Sequence, residues 1–137
     1  MSIFTTPIYD VLVADAVLVA MLKPYNGEPG IFTIDPVPGD AVYPLIVSCG
    51  EPSQIPQDTK NGEAVSAIRD VRCYAPAAGS SDVVEAMAWR VRFLFHRKPF
   101  VMVGYNVEVS DARGPVVANE TDYYGRIVSV SVLARKL

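Results

Sequence analysis

The closing segment "RIVSVSVLARK", residues 126 to 136, alternates strictly: Val128, Val130 and Val132 fall on one side, Ser129 and Ser131 on the other. Successive side chains of a strand point to opposite faces, so this segment belongs to a sheet with one dry and one wet face. Sheets of that kind are antiparallel, and their dry face needs an apolar cover. Two stretches of the chain have helical spacing and can supply it. In the first, Thr5 or Thr6 caps a helix that has Pro7 at its first position, and Ile8, Leu12, Leu18, Val19 and Leu22 form a broad apolar stripe. "KPYNGEPG" ends it with proline and glycine.

The second helix opens at Ser80 or Ser81, with Asp82 and Glu85 near its positive end. It runs to Arg97, a span of roughly 27 Å, with Arg90, Arg92, Arg97 and Lys98 crowding the half where cations suit the dipole. Val84, Met87, Val91 and Leu94 make its core stripe, while Trp89 and Phe93 lie about 100° away in helical projection. Two readings of that pair stand: a helix buried on a wide arc, or aromatics that reach a neighbouring subunit.

Around the closing strand the pattern predicts four others. "IFTID" and "LIVSCG" come first, then "VSAIRDVRCYA", in which Val65, Ala67, Val71 and Cys73 share a face interrupted by Arg69, with Ile68 opposite. "FVMVGYNVEVSD" places Val101, Val103, Tyr105, Val107 and Val109 on one face. The expected fold is α+β: an antiparallel sheet with two helices packed on one face, in the order α-β-β-β-α-β-β, as one domain over residues 1–137. Two connections are long. Residues 51–63, "EPSQIPQDTKNGE", separate the second and third strands, where hairpin loops usually take about 2–5 residues. Residues 111–125 form the other, which continues the strand with a twist or bulge.

Several function classes fall away. The longest helix-like apolar run, Val11 to Leu22, contains Asp15 and falls well short of the roughly 20 residues of a bilayer crossing. No basic n-region marks a signal peptide. Cys49 and Cys73 have no metal or redox spacing and read as reduced core residues, which face each other if their strands are neighbours. The single histidine, His96, sits in a basic last turn and reads as a helix-end charge, and no phosphate-cradling glycine loop is present. Asp10 and Asp15 lie about 140° apart on the first helix and form no facing carboxylate pair. Asp111, Glu120 and Asp122 read as solvated loop charges. No catalytic constellation and no cofactor site emerges.

Charge is unevenly distributed. Residues 1–68 carry two lysines against eight carboxylates, a net −6, and residues 69–137 carry ten cations against seven carboxylates, a net +3. Differently charged faces suit head-to-tail assembly, although chance clustering on a solvated surface gives the same tally. An acidic chain is a poor nucleic-acid binder, but an acidic wall would let DNA pass through a ring without adhering.

The order of segments carries one further reading. A helix starting near residue 6 leads to "VYPLIVSCGE", a long polar loop and "IRDVRCYAP"; "SSDVVEAMAWRVRFLF" and the closing "YYGRIVSVSVLARKL" follow. This pattern resembles the tail-terminator, or tail-completion, proteins of tailed bacteriophages and related phage-like particles. The similarity covers nearly the full chain and is one of pattern and length, with no catalytic signature. It implies a virion structural protein, made in the host bacterial cytoplasm, that assembles as a homo-hexameric ring on the head-proximal end of the tail tube. Such a ring halts tube polymerisation, meets the head-tail connector proteins of the neck, and lets DNA through without specific binding. Membrane contact and enzymatic activity are not expected. Under this reading Gln54, Gln57, Asp58 and Lys60, with Arg113 in the second connection, are expected to contact the tube or an adjacent subunit. Trp89, Phe93 and Arg97 are expected in subunit packing. These residues are chosen on physical grounds and not carried over from a family motif. The alternatives are a head-completion adaptor that binds the portal side, or a small α+β ligand-binding protein or enzyme with an ordered loop around a pocket.

Overall fold

A computed structural model describes residues 2–137; Met1 lies outside them. The elements are α1 (Thr5–Ala14), α2 (Ala16–Val19), β1 (Pro24–Tyr25), β2 (Glu28–Pro29), β3 (Ile31–Phe32), β4 (Leu45–Pro56), β5 (Ala64–Pro76), α3 (Asp82–Phe95), β6 (Tyr105–Val117) and β7 (Tyr123–Lys136). The main sheet has the order β3-β4-β5-β7-β6. It is antiparallel except where β3 runs parallel to β4, and β1 and β2 pair as a separate two-stranded ribbon. The expected α+β class holds, with both long helices on one face of the sheet.

The expected first helix breaks at Asp15. Its backbone is extended there (φ −88°, ψ 107°), and its Oδ2 accepts a hydrogen bond from the Leu18 N–H at 2.9 Å. An aspartate can satisfy a helix-start donor with its side chain, so the residue that interrupts α1 also caps α2. The start differs too: Phe4, not Thr5 or Thr6, occupies the cap position, without a side-chain bond. Pro7 therefore falls third, still inside the first turn, where a missing N–H costs nothing.

Asp15 also accepts from Arg90 of α3, at 2.8 Å (Nε) and 2.7 Å (NH2), and ties the helices together. These bonds hold its carboxyl below the ordinary 3.8, against the opposing effect of burial. A depressed carboxyl stabilises the fold above its unfolded titration point and loses that contribution as pH falls through the folded one. Asp15→Asn keeps a capping oxygen but removes the charge. It is expected to be less stable than the parent at neutral pH, and urea titrations in acid are expected to show the gap closing below the ordinary carboxyl range.

Nearly half of the long polar connection is strand. β4 continues to Pro56 and pairs with β5 through Ser53–Ile68, Gln54–Ala67, Ile55–Ser66 and Pro56–Val65. Two bulges, between Val47 and Gly50 and between Gly50 and Ser53, let this polar stretch stay in register although its sequence does not alternate. The loop itself shrinks to residues 57–63. Residues 111–125 behave as expected: β6 runs to Val117 with an irregularity between Arg113 and Val116, and only residues 118–122 connect it to β7.

Two cores result. The larger joins α1, α2 and α3 to the inner sheet face through Phe4, Ile8, Leu12, Met87, Val91, Phe95, Val71 and Val128. Val84 and Met87 face inward as expected, while Phe95 takes the place expected of Leu94, which is only partly buried. The smaller core, Phe32, Leu45 and Val47 with Tyr25, Val37 and Tyr43, lies on the other side of β4, where residues 25–43 fold over it. Cys73 is buried in the first core and Cys49 packs at the edge of the second, so the two thiols do not face each other. Burial pushes the Cys73 thiol up to about 12.

Candidate assembly surfaces

At the hairpin tip, Gln57 N–H donates to the Ala64 carbonyl at 2.8 Å and Thr59 N–H to the Gly62 carbonyl at 2.8 Å. Asp58 Oδ1 accepts from Ala64 N–H at 3.3 Å, and Lys60 is exposed at the apex. The tip is thus a closed, hydrogen-bonded turn. Gln57 lines a shallow groove of about 260 Å³ with Glu108 and Arg135, whereas Gln54 and Asp58 line another of about 400 Å³ with Ile3 and Tyr105. Three of the loop residues therefore sit on the tip and Gln54 stands on β4. Arg113, expected in a loop, lies on β6 beside its bulge, away from the hairpin.

The outer side of α3 excludes one of the two readings of its aromatics. Trp89 and Phe93 are 54% and 53% exposed, so the helix is not buried on a wide arc. Cations lie over both rings: the Arg92 guanidinium 5.6 Å from the Trp89 centroid, Arg90 4.7 Å and Lys98 3.2 Å from Phe93. Such contacts hold exposed rings and charges in fixed positions. The helix ends at Phe95, two residues earlier than expected. Arg97 follows in the left-handed region (φ 56°), where its N–H donates to the Ser110 carbonyl at 2.7 Å and ties the turn to β6. Ser80 is the serine whose hydroxyl bonds the helix start, accepting from Asp82 N–H at 3.0 Å.

His96 Nδ1 accepts from the Ala112 N–H at 3.3 Å, so this ring satisfies a backbone donor of an edge strand. Among the described residues no group of three His, Cys, Asp or Glu side chains is placed to hold a metal ion. No helix among them is long and apolar enough to cross a membrane.

One surface went unrecognised in the sequence. "FVMVG" was expected to extend β6, but that strand starts at Tyr105, and Val101 and Val103 stand in a turn at 90% and 95% exposure. With Ile3, Pro7 and Phe100 they border an apolar groove of about 650 Å³ between α1 and the turn. Val109, expected inward, is also exposed, because a register shift after Val107 reverses the alternation. The proline and glycine that bracket the run, Pro99 and Gly104, were the available signal of a turn.

No family model and no curated protein matches the sequence. A solved structure does: a chain of the virion of a native gene transfer agent particle, 18% identical, covering 96% of this chain and 92% of that one, with a TM-score of 0.73. The two chains share a fold.

Proposed function

We propose that the protein is a structural component of a phage or phage-like particle that caps the head-proximal end of the tail tube as a homo-hexameric ring. The observation that carries the reading is the fold shared, nearly end to end, with a chain of a gene transfer agent virion. The segment pattern described above points independently to tail terminators. Exposed aromatics beside cations on α3 suit a subunit interface, and the closed hairpin tip offers a rigid, polar contact for the tube or a neighbour. In this role one ring face binds the last tube ring and the opposite face refuses another, which stops polymerisation and presents a joining surface to the neck. No chemistry is required, and DNA passes through without specific contacts.

Native mass spectrometry of the purified protein, alone and mixed with tail-tube protein, tests the proposal. Hexamers, formed alone or on tube ends, and tubes of limited length in electron micrographs are the expected result. A hexamer that ignores tubes but binds portal-side proteins would make it a head-completion adaptor. A stable monomer indifferent to both would end the virion reading.

A further inference from the structure

Two separate surfaces around the main sheet carry opposite charge. Around the β3 edge and over the outer side of β4, residues 24–43 hold Glu28, Asp35 and Asp40 and no lysine or arginine. All three carboxylates are exposed, and among the described residues none takes part in an ion pair; Asp40 accepts only the Tyr25 hydroxyl at 2.8 Å. At the opposite edge the end of α3 is anchored on β6, and residues 89–98 hold four cations and no carboxylate. Asp15 neutralises Arg90, but Arg92, Arg97 and Lys98 have no acidic partner among the described residues. Each surface also exposes two large apolar side chains: Ile34 and Val42 on the acidic one, Trp89 and Phe93 on the basic one.

We infer that copies of this chain associate head to tail, the acidic 28–42 segment of one seated against the outer face of α3 in the next. The occupant of each surface is a second copy because charge is complementary between the two surfaces and repulsive within each. An isologous dimer through either surface would bring like charges together; a heterologous contact brings opposite ones together and propagates into a ring. The inference deepens the ring reading and rests on it, because it names the two surfaces that close the ring.

The test uses the full chain with reversed surface charge. One variant carries Arg92→Glu, Arg97→Glu and Lys98→Glu; the other carries Glu28→Lys, Asp35→Lys and Asp40→Lys. Every position but Arg92 is exposed, so both are expected to fold, which circular dichroism checks. Each alone is expected to associate at least about a hundredfold more weakly than the parent in sedimentation equilibrium, since every contact becomes like-charged. An equimolar mixture is expected to recover multimers in which the two variants alternate, read by native mass spectrometry. Variants that assemble like the parent, or a mixture that stays dissociated, would overturn the inference. So would a parent chain that remains monomeric both alone and on tubes. The two proposals fail separately: mixed rings that do not cap tubes leave the surface pairing standing without the terminator role, and capping by either variant alone leaves the role standing without the pairing.

Discussion

Arg69→Ala is expected to destabilise the protein by about 3–5 kcal/mol, the largest effect of any single polar substitution in the chain. Arg69 is 2% exposed on the helix-facing side of β5, among valines and alanines. Its Nε donates to Ser48 Oγ at 3.2 Å, its NH2 donates to the Ser48 carbonyl, and its NH1 lies 3.6 Å from Glu51 Oε1. The same Glu51 oxygen accepts from Ser2 Oγ at 2.9 Å, and Ser2 Oγ accepts from the Phe4 N–H at 3.1 Å. One guanidinium thus joins the bulged part of β4 to the start of α1. Without it a buried carbonyl loses its partner and a largely buried carboxylate loses its counter-charge, and both penalties are severe in a low-dielectric interior. At roughly 4 °C per kcal/mol, the thermal midpoint is expected to fall by more than about 10 °C. A cycle with Glu51→Gln checks the mechanism. The two substitutions should be less harmful together than their sum, by about 0.5–3 kcal/mol. A loss under about 1 kcal/mol for Arg69→Ala would show that water replaces the guanidinium.

Phe95→Ala is expected to cost a similar 3–5 kcal/mol, by a different route. The ring is fully buried at the end of α3, edge-on to Phe100 with centroids 5.8 Å apart at 88°. Ser110 Oγ donates to its carbonyl at 2.8 Å, so the residue fastens the helix end to β6 through both side chain and backbone. Truncation leaves a cavity where the chain turns toward Arg97 and Lys98, and packing forbids full collapse. Phe93→Ala, two residues away, is the contrast. That ring is half exposed, so denaturation should move by well under 1 kcal/mol while sedimentation shows weaker self-association. Equal stability losses for the two phenylalanines would contradict the division of α3 into a buried, structural side and an exposed side, the one proposed for assembly.

That division was only half legible in the sequence. The inner stripe Val84, Met87 and Val91 follows from helical spacing alone, because any helix docked on a sheet must bury residues three and four apart. Whether Trp89 and Phe93 were also covered depended on how far α1 and α2 reach across the sheet, which spacing does not encode. The hairpin was misread for a related reason. Residues 51–56 are polar and contain two prolines, so they lack a strand's alternation. They pair because β5 continues beside them and bulges absorb the mismatch, a long-range constraint. Val101 and Val103 erred in the other direction: their alternation is real, but no strand lies beside them to pair with.

By itself the sequence determined the α+β class, the one-sided closing strand, the two helix stripes and the acidic-to-basic gradient along the chain, since each arises from neighbours within a few residues. Only the tertiary structure decided where β4 ends, that Asp15 both breaks and caps a helix, and that Arg69 is buried and bonded. It alone placed the acidic and basic stretches on separate surfaces around one sheet. These features depend on which segments become neighbours in space, and pairing between distant strands is set by the whole set of competing contacts and not by any local pattern.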